Sequence, residues 1–198
     1  MSSHLSTAAG EKPPDLRRPQ RRAATAERLA VAAVEELRAE GYEGLTVRNV
    51  ARRAQVAPAT AYTYFASKDH LVAEAFGRAL DALGPVDVDQ SETVPQRVAA
   101  AIADVTRLVT DEPALAAAAT TALLADEPDV ARLRRRVGAA FHERFVAALG
   151  DDADDAVLDT LDLAFTGALL RAGVGALHYA DLGDLMASVA QALTRGRG

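Results

Sequence analysis

Apolar residues recur at helical spacing along most of the chain, and no stretch shows the two-residue alternation of a strand. Leu29, Ala30, Ala33, Val34 and Leu37 form one stripe and predict a first helix over about 22–40. Gly41 follows, where a left-handed residue just past the end would close that helix. Thr46 suits a cap, because its hydroxyl can accept from the free N–H groups of a helix start. A second helix is expected over about 47–54 and a third from Pro58 to about 64. Ser67 caps a fourth, to about 82, with Leu71, Val72, Ala75, Phe76, Ala79 and Leu80 inward. Leu83, Gly84 and Pro85 break it, and residues 84–94 are polar. Pro95, Pro113 and Pro128 open helices reaching about 110, 125 and 149; in a first turn proline's missing N–H had no partner to lose. The acidic turn GDDADD, 150–155, leads into an eighth helix expected to run to about 179, and its Asp residues suit the helix dipole. A ninth spans about 181–195. The pattern predicts an all-α chain of about nine helices.

Residues 1–19 carry Ser, Pro and charge but little apolar content, and are expected to be a disordered arm. Arg17, Arg18, Arg21 and Arg22 make it basic: either a solvated arm or one that touches DNA. Residues 163–180, LAFTGALLRAGVGALHYA, are nearly continuous in apolar character. Arg171 at their centre argues for a doubly buried helix rather than a membrane span. The chain has no Cys, so disulfides and thiolate chemistry are excluded. Its start lacks an apolar signal segment, which leads us to expect a cytoplasmic protein. Net charge is −6, but it is unevenly placed. Residues 1–83 hold 12 basic and 10 acidic side chains, and residues 84–198 hold 10 and 18. A mildly basic front on an acidic rear half suits a partner such as nucleic acid at the front.

The front half also carries a motif. TVRNVARRAQVAPATAYTYFASKDHL, 46–71, stops one helical pattern at Gln55-Val56-Ala57 and restarts another at Pro58. Two helices joined by so short a turn read as a helix-turn-helix, and Ala51, Ala54 and Val56 are small enough for a close crossing. The second helix gathers hydroxyls and rings, as an element entering the major groove would. Helix pairs with tight turns are also common in all-α proteins.

The extended pattern T-V-x-x-V-A-x-x-A-x-V-A-x-x-T-x-Y-x-Y-F-x-S-K-x-x-L, Thr46 to Leu71, with Gly-Tyr-Glu-Gly-Leu ahead of it, resembles the DNA-binding signature of the TetR family of transcriptional regulators. The resemblance covers about residues 23–80. It departs at Gln55, where the family favours Gly, at Ala57, where it favours a capping Ser, and at Ala59 and Ala61. A non-glycine in a left-handed turn and a missing cap each cost stability. The resemblance implies a helix-turn-helix domain over 20–83 that binds double-stranded operator DNA. In it Thr46, Arg48, Pro58, Ala59, Thr60, Tyr62, Thr63, Tyr64 and Lys68 face DNA. Thr60 and Thr63 offer hydroxyls and methyls, Tyr62 and Tyr64 reach the backbone, and Lys68 and Thr46 meet phosphates. Phe65 is expected in the core. Arg52 and Arg53 are either DNA contacts or a solvated face.

For residues 84–198 the resemblance implies a ligand-sensing and dimerisation domain. The residues support dimerisation themselves, because the eighth helix is apolar nearly all round and must bury both faces. Leu163, Leu170 and Val174 on it, with Leu185 and Val189 on the ninth, are the expected homodimer interface, where Gly167, Gly173 and Gly175 allow close approach. One large monomer core is the alternative. Expected pocket walls are Thr120 and Leu123 on helix six, Phe141, His142 and Phe145 on helix seven, and Phe165, Thr166 and Leu169 on helix eight. His142 is otherwise a surface or satisfied core residue. The run Arg132–Arg136 reads as a solvated face or as a lure for an acidic ligand. Helices six to eight resemble, more distantly, the sterol-catabolism repressor branch of that family, which favours a fatty or sterol-derived acyl thioester.

An enzyme needs a constellation that the sequence lacks. His4, His70, His142 and His178 are scattered, and there is no phosphate loop or nucleophile motif. Asp151, Asp152, Asp154 and Asp155 lack the spacing of a calcium loop. No metal, cofactor or membrane partner is expected. The resemblance implies a ligand-responsive regulator, a repressor released from operator DNA by a small apolar or acyl-type ligand, with a non-sensing architectural DNA binder or a helical protein-interaction module as alternatives.

Overall fold

The computed structural model describes residues 17–195, and the expectations for residues 1–16 lie outside them. Nine α-helices form the described chain: α1 (Arg17–Gly44), α2 (Val47–Arg53), α3 (Pro58–Tyr62), α4 (Lys68–Asp81), α5 (Val94–Asp111), α6 (Pro113–Ala122), α7 (Pro128–Leu149), α8 (Asp155–Gly173) and α9 (Leu182–Thr194). Two 3₁₀ turns, Gly150–Asp152 and Tyr179–Asp181, lead into α8 and α9. None of these helices is long and apolar enough to cross a membrane.

Most boundaries follow the punctuation residues. Thr46 caps α2 and Ser67 caps α4, each accepting from the backbone N–H three residues on, at 3.1 and 2.9 Å. Three boundaries differ from expectation; one is the end of α1, which is kinked at Gly41 and continues to Gly44 instead of ending near residue 40. Helix α1 begins at Arg17 rather than near residue 22, because Pro19 sits among the first N–H groups, which need no intrahelical partner. Helix α8 stops at Gly173, not near 179. Gly175 adopts φ +78°, the Ala176 N–H bonds to Arg171 O at 2.8 Å, and the Gly175 N–H bonds to Ala172 O at 3.0 Å. This is a Schellman closure hidden inside an apolar run. Gly41 takes φ +68° and ψ −179°, a glycine-only region beyond the left-handed helical basin expected there.

Helix α4 lies at the centre. Leu71, Val72, Ala73, Ala75, Phe76, Gly77 and Leu80 are all buried, and α1, α6 and α7 pack around them. Gly77 leaves room for Arg136 of α7: a Cβ would lie 2.3 Å from Arg136 Nη2, and the guanidinium would have to move aside. Arg136 crosses α4 there to reach Glu74 at 3.2 Å and Asp81 at 3.5 Å. Arg97, buried on α5, donates to the carbonyls of Ala148, Leu149, Gln90 and Glu92 and to Asp152. It pins the polar segment 84–93 and the acidic turn to the helices. Asp154 caps α8, so the acidic turn serves helix starts and an ion pair.

The turn between α2 and α3 holds measurable strain. The Val56 N–H bonds to Ala51 O at 2.9 Å and the Gln55 N–H to Arg52 O at 3.1 Å, again a Schellman closure. Its left-handed residue is Gln55, at φ +55°, the one non-glycine with positive φ among the described residues. A side chain there costs about 1 kcal/mol that glycine avoids, partly offset by glycine's greater freedom when unfolded. Gln55→Gly should therefore stabilise the fold by about 0.5–1 kcal/mol, read as a higher denaturant midpoint at unchanged slope. An unchanged or lower midpoint would refute the strain assignment.

Candidate nucleic-acid interface and effector cavity

Helix α3 is short and is held from below. Ala61 is fully buried and Phe65 nearly so, with the His70 ring edge-on to Phe65 at 5.3 Å. That anchoring turns Pro58, Ala59, Thr60, Tyr62 and Thr63 outward, all exposed. Tyr62 is 53% exposed, a large ring standing in solvent. Ala57 gives no side-chain cap, so the first N–H groups of α3 are without an intrahelical partner.

The hydroxyls are not equivalent. Thr63 Oγ1 donates to Thr60 O at 2.7 Å, so its proton is spent and only its lone pairs and methyl face outward. Thr46 Oγ1 accepts the Asn49 N–H at 3.1 Å, which leaves its own proton to donate. Tyr64 sits further back than Tyr62. It is half-buried, and the Arg22 guanidinium of α1 lies over its ring at 5.5 Å. Its place is thus to bring Arg22 to the same face.

Cations flank this face. Arg48 and Arg52 are exposed on α2, and neither is in an ion pair among the described residues. Arg53 points to the other side, its Nε 2.7 Å from Glu36 and its Nη1 3.9 Å from Glu35. Lys68, at the first position of α4, is half-buried with its ammonium 4.1 Å from the Tyr42 ring centre and 3.4 Å from Tyr42 O. Tyr42 in turn donates its hydroxyl to Asp69. Burial first, and then the Asp69 hydrogen bond, push the Tyr42 phenol well above its ordinary pKa, so it keeps its proton and holds Lys68 in place.

A second feature lies behind α4. A cavity of about 200 Å³ opens between α4, α5, α6, α7 and α8. Of the residues expected to line it, Thr120, Leu123, Phe141, Thr166 and Leu169 do. Three do not. His142 faces away, its Nδ1 2.7 Å from Asp162 on α8. Phe145 and Phe165 are fully buried behind the wall and stack edge-on with each other at 5.7 Å; Phe165 also meets Phe141 edge-on at 5.0 Å. Phe76, Leu124 and Tyr179 line the cavity although the sequence did not single them out for it, and so does Arg134, from the run read as a solvated face or a lure for an acidic ligand. Ala116 and Ala119 on α6 were the available signal, since small residues opposite large ones leave room.

Leu170, expected at a dimer interface, also touches the cavity. Leu163 on α8 and Val174 at its C-cap are 75% and 70% exposed, and Leu185 and Val189 on α9 are half-buried. Of the expected close-approach glycines, Gly173 meets α6 inside the chain, where a Cβ would lie 2.4 Å from Thr120 Oγ1; Gly167 and Gly175 face open space.

The cavity and the start of α4 are joined by the loop between α6 and α7. Leu123 and Leu124 in that loop form part of the cavity wall. Arg134 ties the loop to α7, donating to Leu123 O at 2.6 Å and Ala125 O at 2.9 Å. Glu127, at its end, accepts from Ser67 Oγ at 2.7 Å. Ser67 is the cap of α4 and the neighbour of Lys68.

Residues 29–75 match the family model described as bacterial regulatory proteins, tetR family. Over 183 residues the chain is 41% identical to an uncharacterized HTH-type transcriptional regulator of Mycobacterium tuberculosis, covering 90% of this chain and 84% of that protein. A counterpart in Mycobacterium bovis matches equally. Among solved structures, a TetR transcriptional regulator from Rhodococcus sp. RHA1 superposes with a TM-score of 0.71 at 21% identity, over 90% of this chain and 100% of that one. FadR from Bacillus subtilis, in complex with stearoyl-CoA, superposes at 0.60 with 18% identity, over 87% and 99%. Signature, fold and relatives agree, and they are those of transcriptional regulators rather than enzymes: the chain belongs to the TetR family of bacterial regulatory proteins.

Proposed function

We propose that the protein is a cytoplasmic, homodimeric repressor that grips operator DNA through α2 and α3 and lets go when a small apolar molecule, an acyl-type ligand included, enters the cavity. Residues 20–83 are the DNA-binding domain in this reading, and residues 84–198 sense the ligand and dimerise. The observation that carries it is the outward face of α3. Thr60, Tyr62 and Thr63 are exposed there over a buried Ala61–Phe65 anchor, with Arg48, Arg52 and Lys68 beside them. Base edges specify sequence and phosphates fix position, and this face offers groups for both. The cavity favours a sensing protein over an architectural one, for which a closed core would serve better.

Release follows from the loop joining the two sites. A molecule pressing on Leu123 and Leu124 displaces Glu127, and with it Ser67 and the first turn of α4. Paired DNA-binding units must match the groove repeat of about 34–36 Å, so a shift of a few ångströms removes many specific contacts.

Shift assays on operator DNA drawn from the sequence flanking the gene test the DNA face. Lys68→Ala should weaken binding to all sequences and flatten the salt dependence by about one unit of slope. Thr60→Ala should instead change sequence preference. Unchanged affinity and preference in both variants would sink the assignment.

Dimerisation is tested at the exposed end of α8, with Val174 at its C-cap a cleaner probe than Leu170 because it does not touch the cavity. Light scattering should show a dimer for the natural protein and a monomer for Val174→Arg. The monomer should lose specific operator binding, since half-sites lie roughly one helical turn apart. A natural protein that is monomeric contradicts this reading.

A further inference from the structure

The cavity restricts what can enter it. An engineered apolar cavity of about 150 Å³ accepts a benzene ring. The cavity here, at about 200 Å³, suits a one- or two-ring molecule rather than an extended eighteen-carbon chain. Phe76, Val109, Val137, Phe141 and Leu169 make its wall almost entirely carbon.

The polar groups on that wall differ in what they have left to give. Thr120 Oγ1 donates to Ala116 O at 3.0 Å. Its side chain sits close to Gly173, where a Cβ would lie 2.4 Å from Thr120 Oγ1. Arg134 is the one charged residue of the wall. It is exposed, and two of its N–H groups already serve the carbonyls of Leu123 and Ala125. Tyr179, in the 3₁₀ turn before α9, stands apart. Its hydroxyl is shut off from solvent and makes no hydrogen bond. Burial, the larger effect, raises the pKa of the phenol; Thr120 is near enough for a weak hydrogen-bonding influence on it, though not within ordinary hydrogen-bond limits. At neutral pH Tyr179 therefore carries its proton. A buried donor without an acceptor is rare in folded proteins and calls for a partner.

We infer that the effector is a compact, uncharged, largely apolar molecule with one acceptor oxygen, and that Tyr179 donates the hydrogen bond that orients it. This rests on the reading of the cavity as the effector site. It narrows that reading: a long acyl chain exceeds the volume, and an anionic group would have to be met by an arginine that faces solvent and is already engaged.

Three probes separate the possibilities. Acetophenone is a single ring with a carbonyl. In α-methylstyrene a CH₂ replaces the oxygen at the same shape. Benzoate carries a negative charge at nearly the same size. Calorimetric titration of the whole protein should show acetophenone binding once per chain, and α-methylstyrene binding more weakly by roughly two- to tenfold, the range of one hydrogen bond. Benzoate should bind more weakly than either. Tyr179→Phe keeps the ring and should reverse the order, weakening acetophenone, whose carbonyl is then buried without a donor, while leaving α-methylstyrene unchanged. Equal affinities in the natural protein, an unchanged ratio in Tyr179→Phe, or tighter binding of benzoate would each overturn the inference while leaving the cavity as a binding site. Ala119→Leu fills the cavity and should abolish acetophenone binding. Gly138→Leu, at a wall position with open space for its Cβ, serves the same end if Ala119→Leu fails to fold. Binding that survives in a folded filled variant, or absence of binding by all three probes, overturns the effector-cavity reading and the inference with it.

Discussion

Helix α4 is apolar around most of its circumference, and the chain must bury all of it. One side is covered by α1 and the other by α6 and α7. The same helix therefore closes the core beneath α2 and α3 and supplies Phe76 to the cavity wall. Seven buried residues in fourteen leave no side on which it can be detached at low cost. Anything that shifts one end of α4 is felt at the other, because a packed helix moves as a body.

The polar contacts of α4 sit where that rigidity can be used. Ser67 caps its start and also reaches Glu127 across the loop from α6. Lys68 is steadied by Tyr42, which Asp69 holds in turn. Glu74 and Asp81 receive Arg136 over the gap that Gly77 leaves. These contacts bind the first turn of α4 to the elements that surround the cavity. Exposed ion pairs of this kind contribute little to stability; their consequence is geometric.

Much of this arrangement was legible in the sequence, for identifiable reasons. Thr46, Ser67, Pro113 and Pro128 mark helix starts by local chemistry, and α2, α4 and α7 lie close to where those residues put them. Gln55 was legible as a strained turn because only the backbone geometry of a tight helix-turn-helix is needed to see it. The end of α8 was not, because Gly175 lies inside an apolar run that continues past the helix. His142 attracted notice by its chemistry, yet it is one residue from Phe141, and successive residues point about 100° apart on a helix. Tyr179 was hidden for another reason. Its position on the cavity wall depends on how α6, α8 and the turn before α9 meet, which no local pattern encodes.

The central claim is that cavity occupancy and the spacing of the paired DNA-binding faces are one equilibrium. The chain contains no cysteine, so Val31→Cys, at an exposed position of α1 outside the residues assigned to DNA, gives a single site for a spin label. Distances between the two labels of a dimer can then be measured by pulsed electron resonance, with and without a cavity ligand at saturation. Coupling through α4 predicts a shift of several ångströms in that distance when the cavity is filled, and its reversal when operator DNA is added, since linkage acts in both directions. An identical distance distribution in the empty and the saturated protein would contradict it.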